Sequence, residues 1–121
     1  MEEKKTIVLG ASENTERYSN KAIRALRNKG HPVIAVGLRE GKVLDVDIVK
    51  IKPDESDVDT VTLYLSAKNQ KGYYDYILSL HPKRIIYNPG AENEDLESLA
   101  NKNGIENMEA CTLVLLATGQ F

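Results

Sequence analysis

Gly10, Ala11 and Ser12 form a small-residue turn directly after an apolar run, Thr6-Ile-Val-Leu9, and Arg17, Tyr18, Ser19 and Asn20 follow closely. Together these residues offer the chemistry of anion binding. A turn of small residues lets backbone N–H groups approach a phosphate, a helix N-terminus adds its unpaired donors, and an arginine adds charge. Gly37 and Arg39 follow a second apolar run, Ser66 a third, and Asn88-Pro89-Gly90 a fourth. Arg39, with Lys42 as a second choice, can pair with a phosphate on a ribose. Gly37, Ser66, Asn88, Pro89 and Gly90 are expected to line the same cleft. Two readings stand for Ser19 and Asn20, as phosphate contacts or as the cap of the following helix. Tyr18 either packs over a base or covers its own loop.

These residues need a scaffold that brings them together, and the spacing of apolar residues supplies one. Thr6 to Leu9, Val33 to Val36, Thr60 to Leu65 and Arg84 to Tyr87 are short, nearly continuous apolar runs, the pattern of strands buried on both faces of a parallel sheet. Between them, Ser19 to Gly30, Asn69 to Leu80 and Glu94 to Asn103 carry apolar residues at helical spacing. A weak strand is expected near Val49 to Ile51 and a last short one over Ile105 to Met108. Thr112 to Ala117 is too short a run for periodicity to choose between strand and helix. The alternation predicts an open, mainly parallel sheet of about five strands with helices on both faces. Right-handed crossovers then place every strand-to-helix loop on one edge, where ligands of such sheets bind.

That topology and the composition exclude several chemistries. His31 and His81 each precede a proline that leads into a strand, so both belong at the edge opposite the ligand loops. A histidine-dependent triad or a histidine-ligated metal is therefore not expected, and no residue set forms a catalytic constellation. No Walker A string is present. The dinucleotide fingerprint needs three glycines, but Ser12 and Thr15 stand where the second and third belong. The second strand ends in Val36-Gly37-Leu38-Arg39, without the acidic residue that holds an NAD ribose. The net charge of -2, with basic residues scattered, gives no electrostatic footprint for nucleic acid. One cysteine, Cys111, allows no internal disulfide, and a reducing cytoplasm is the expected location. No apolar run is long enough to span a membrane. The 121 residues suit one domain over positions 1–121.

The chain resembles small stand-alone CoA-binding proteins, whose Rossmann-like α/β/α domain is similar to the nucleotide-binding domain of the succinyl-CoA ligase α-subunit. The resemblance rests on Val8-Leu9-Gly10-Ala11-Ser12, Arg17-Tyr18-Ser19-Asn20, Gly30-His31-Pro32-Val33-Ile34-Ala35-Val36 and Asn88-Pro89-Gly90-Ala91-Glu92-Asn93. Cys111 falls where this family often has a cysteine. The chain departs from the family at Tyr18, where a proline is common, and at Gly37-Leu38, where Asn-Pro is common. The resemblance implies a three-layer fold that binds coenzyme A or an acyl-CoA as carrier or regulatory module, without the ligases' ATP-using partner domain. Its partner is then a small nucleotide ligand, and a homodimer is compatible with it. Two alternatives stay open: an NADP-dependent oxidoreductase-type domain, with Arg39 on the ribose phosphate, and an interaction module that has lost its ligand.

Overall fold

A computed structural model describes residues 3–121. Its centre is β1 (Thr6–Leu9), in which every residue is buried. The strand sits in the middle of one sheet and alternates its side chains between two apolar layers. Ile7 and Leu9 join Leu63, Ile77, Ile85, Leu96 and Ala100 on one face. Val8 joins Ile23, Leu26, Ala35, Ile48 and Leu116 on the other. This period-two alternation with both faces apolar is what forces a three-layer α/β/α architecture.

The remaining elements follow in chain order. Helix α1 spans Tyr18–Asn28, β2 Val33–Val36, β3 Gly41–Val43, β4 Val46–Val49 and β5 Thr60–Leu63. A short helix α2 (Ala67–Gln70), a 3₁₀ turn (Lys71–Tyr73) and α3 (Tyr74–Leu80) precede β6 (Arg84–Tyr87). Then come α4 (Glu94–Lys102), β7 (Glu106–Glu109) and α5 (Thr112–Ala117). The sheet has seven strands in the order β3-β4-β2-β1-β5-β6-β7. All neighbours pair in parallel except β3 with β4. The chain leaves β1 toward β2 on one side and returns to β5 on the other, so the strand order reverses at the carboxyl ends of β1 and β5.

The α/β class and the parallel sheet match the expectation; the strand count of about five is corrected to seven. The difference lies mainly in residues 37–51, read as a loop and one weak strand. They form an antiparallel hairpin with Val43 opposite Val46. Val43, Val46 and Ile48 are buried, while Lys42 and Asp47 point to solvent. Leu44 turns the corner at φ 54°, a position where Gly or Asn is the usual signal. The helix expected over Asn69 to Leu80 is interrupted by the 3₁₀ turn at Gly72, the residue with least cost for leaving α geometry. Thr112 to Ala117 is a helix.

At the amino edge of the sheet, His31 is buried and its Nδ1 accepts the backbone N–H of Lys4 at 3.0 Å. Its ring lies 5.0 Å from that of Phe121. Arg84 lies over the same Phe121 ring at 4.3 Å and donates from Nε to Thr60 Oγ1 at 2.7 Å. Burial, then the cations of Lys4 and Arg84, hold the His31 imidazole below its ordinary value. A depressed histidine stabilises the fold fully above the unfolded value of about 6.5. That contribution is lost as pH falls below this value, because the unfolded chain takes up the proton first. The urea midpoint should therefore drop between pH 7.5 and 5.5, above the range where most carboxylates titrate. The His31→Asn variant, which keeps an acceptor near Nδ1, should show a flatter profile; parallel profiles would remove His31 as the cause.

Candidate functional site

The reversal of strand order opens a cleft of about 240 Å³ between the loops after β1, β5 and β6. Gly10, Arg17, Tyr18, Ser19, Tyr64, Leu65, Ser66, Pro89, Gly90 and Ala91 line it. Two glycines allow the loop after β1 to lie in this crease. Gly10 has φ +94°, and a Cβ on it would stand 2.8 Å from the Tyr64 carbonyl oxygen. A Cβ on Gly37 would stand 2.3 Å from the Ala11 carbonyl oxygen. The backbone of the turn is thus pressed against the ends of β5 and β2 with no space for side chains between them. Gly10 and Ala11 both direct their N–H groups to Val36 O at 3.0 Å.

The loop is then held by its own polar residues. Ser12 Oγ accepts from the Asn14 N–H at 3.0 Å, and Asn14 Oδ1 accepts from the Glu16 N–H at 3.0 Å. Asn20 is buried and donates to Ser12 O at 2.9 Å, while its Oδ1 accepts from Arg24 Nε at 2.8 Å. Asn20 is therefore a loop brace inside α1 and not its cap. The helix begins at Tyr18, with Arg17 as N-cap in an extended conformation and no side-chain cap. The N–H groups of Tyr18 and Ser19 take no protein acceptor among the described residues. Helix ends leave such donors to be met by water, a side chain or a ligand.

The far wall is fixed by two buried amides. Asn88 donates from Nδ2 to Thr62 Oγ1 at 2.7 Å and to Leu63 O at 2.8 Å. Its Oδ1 accepts the Thr112 N–H at 2.9 Å, which ties α5 to the end of β6. Gln70, fully buried, donates to Leu65 O and to Ala91 O, each at 2.7 Å. It joins two residues of the cleft lining that are far apart in sequence, and Asn93 Nδ2 completes it by donating to Gln70 Oε1 at 2.8 Å. The Tyr64 hydroxyl is buried, and among the described residues no group meets it in hydrogen-bond geometry, although the Thr62 and Thr112 hydroxyls are near. Burial pushes this phenol up to about 12, so it stays protonated near neutral pH.

Of the residues expected from sequence, Gly10, Arg17, Tyr18, Ser19, Ser66, Pro89 and Gly90 meet in the cleft. Ala11, Ser12, Asn20, Gly37 and Asn88 stand behind it, committed to the backbone contacts just described. Arg39 is exposed beyond the end of β2 and is not part of the lining. Tyr64, Leu65 and Ala91 line the cleft without having been expected. Tyr64 and Leu65 belonged to a run read as strand, which in the structure ends at Leu63. Gln70 carried no signal, since a glutamine in a short helix ordinarily faces solvent. His31 and His81 precede β2 and β6, away from the cleft. Among the described residues no cluster of His, Cys, Asp and Glu is arranged to hold a metal. No described helix is long and apolar enough to cross a membrane.

A family model described as CoA binding domain matches residues 4–117. A crystal structure of an uncharacterized protein shares 49% identity with the chain, covers 100% of both chains and superposes with a TM-score of 0.96. A structure from Thermus thermophilus, called cell-free ID.343, is 20% identical over 98% of this chain and 91% of its own, with a TM-score of 0.85. A dinucleotide-forming acetyl-coenzyme A synthetase from Ca. Korarchaeum cryptofilum, in complex with phosphate and ADP, is 16% identical with a TM-score of 0.71. That likeness covers 88% of this chain but 25% of the synthetase. No curated protein matches the chain.

Two variants test how the cleft is held. Gln70→Met keeps the side-chain volume but leaves two buried carbonyls unpaired, and should cost roughly 1–3 kcal/mol in urea denaturation. Gly37→Ala drives a methyl into Ala11 O and should cost a similar 1–3 kcal/mol or so. Wild-type stability in either variant would contradict the contact concerned.

Proposed function

We propose, because the chain belongs to the CoA binding domain family, that the cleft takes coenzyme A or an acyl-CoA, and that the protein works by binding without catalysing a reaction. The observation that carries this is the convergence of unpaired helix donors, a tight glycine turn and an arginine. Tyr18 and Ser19 N–H, Gly10 and Arg17 belong to one cleft at the point where strand order reverses. Such a place suits a pyrophosphate. Its volume of about 240 Å³ falls below the roughly 300–1,000 Å³ of pockets that enclose a drug-sized ligand. On this reading a CoA lies across the sheet edge with its pyrophosphate seated, while the adenosine extends past β2. Arg39, with Lys42 behind it, then meets the 3′-phosphate in solvent.

The lining offers no carboxylate, imidazole or thiol to move a proton or form a covalent bond, which supports a carrier or regulatory role. The partner is the nucleotide itself, not nucleic acid or a membrane, and the single Cys111 suits a cytoplasmic protein. The interaction-module reading draws on one specific observation. Leu38 and Ile51 are 84% and 81% exposed at the ends of the paired strands β2 and β4.

Thermal unfolding with CoA, acetyl-CoA, NADPH and NAD separates these readings. Ligand at 100 times its Kd adds about 2.7 kcal/mol, which for a small domain raises Tm by roughly 4–8 °C. CoA or acetyl-CoA should give this shift, and Arg17→Ala should weaken binding about tenfold or more, the worth of a charged hydrogen bond. A shift with NADPH alone would point to the oxidoreductase-type alternative, and no shift at millimolar ligand to the interaction module.

A further inference from the structure

One carboxylate of the loop after β1 has no part in the scheme above. Glu13 leaves the loop after β1 and crosses to the β3–β4 hairpin, where its Oε2 accepts the backbone N–H of Lys42 at 2.8 Å. Gly41 makes this crossing possible. A Cβ there would lie 2.3 Å from Glu13 Cδ and 2.7 Å from Oε1, so any side chain at position 41 evicts the carboxylate. Glu13 therefore rests on the backbone of the segment that carries Arg39 and Lys42. Its Oε1 meets no protein donor among the described residues. None of the ion pairs there involves Glu13, Arg39 or Lys42.

The consequence is electrostatic. Resting on the cleft reading, the ribose end of the ligand extends past β2 toward this segment. β2 itself ends without an acidic residue, and to the exposed Glu40 of the following segment Glu13 adds, from the neighbouring loop, a carboxylate held in place on the backbone. A fixed carboxylate there opposes the attraction of Arg39 and Lys42 for a phosphate dianion. It leaves a ligand with a free ribose hydroxyl unaffected, since a neutral hydroxyl carries no charge for the carboxylate to repel. We infer that Glu13 is a specificity-determining residue that reduces the preference for ligands bearing a ribose phosphate over those without one.

CoA and 3′-dephospho-CoA differ only in that phosphate, so their Kd ratio reads the effect. Titration calorimetry at low salt on wild type and Glu13→Gln isolates the charge, because the amide oxygen still accepts from Lys42. The variant should tighten CoA about two- to fivefold, the scale of one exposed charge pair, and leave dephospho-CoA unchanged. The gain should shrink at 1 M salt, where the screening length is about 3 Å. Glu16→Gln, on the exposed part of the same loop, should leave the ratio as in wild type. Equal changes for both ligands in Glu13→Gln, an unchanged ratio, or the same gain from Glu16→Gln would each overturn the inference while the cleft reading stands. Wild type that binds neither ligand would overturn the cleft reading and this inference with it.

Discussion

The site depends on backbone meeting backbone at two glycines. At Gly10 the turn after β1 presses on the Tyr64 carbonyl, and at Gly37 the end of β2 presses on the Ala11 carbonyl. A Cβ at either place collides with an oxygen that has nowhere to go, since β1, β2 and β5 are locked in register on both sides. The turn therefore lies low in the crease, and α1 starts close to the sheet. The donors of Tyr18 and Ser19 sit beside Gly10 for this reason. A bulkier turn would lift the loop and separate the helix start from the strand ends.

The rest of the site is built to keep that crease open. Asn88 and Gln70 are buried amides whose hydrogen bonds run to backbone groups of different loops. A buried polar network of this kind holds a single geometry, because breaking one bond leaves an unpaired group in a low-dielectric interior. The walls after β5 and β6 are thus fixed to each other. The loop after β1 is braced by Ser12, Asn14 and Asn20 and tied to the hairpin by Glu13. Residues that look like ligand contacts in the sequence are largely spent on this support, and the donors left over belong to the backbone.

This division explains what the sequence made legible. The α/β class followed from continuous apolar strands such as Ile7-Val8-Leu9 alternating with helical stripes, and the ligand edge followed from the handedness of the crossovers. Seven of the residues expected at the site meet in the cleft, because Gly10, Ser66, Pro89 and Gly90 follow the carboxyl ends of strands and Arg17, Tyr18 and Ser19 open the helix that the first of those loops leads into. The hairpin over residues 41–49 was hidden because its strands are short and its corner is Leu44-Asp45 without a glycine or asparagine. The roles of Asn20, Asn88 and Gly37 were hidden for another reason. A cap, a brace and a ligand contact draw on the same residue types, and only the partner atom in space distinguishes them. Gln70 was invisible because its burial is a consequence of the two carbonyls it joins.

The central claim is that the first N–H groups of α1 and the Gly10 turn form the anion seat, and backbone amide chemical shifts report on it directly. Titration of ¹⁵N-labelled protein with CoA should move the amide signals of Gly10, Tyr18 and Ser19 with one shared saturation curve, while the amino-edge residues His31 and Phe121 stay in place. Saturable CoA binding that leaves those three amides unmoved would contradict the account.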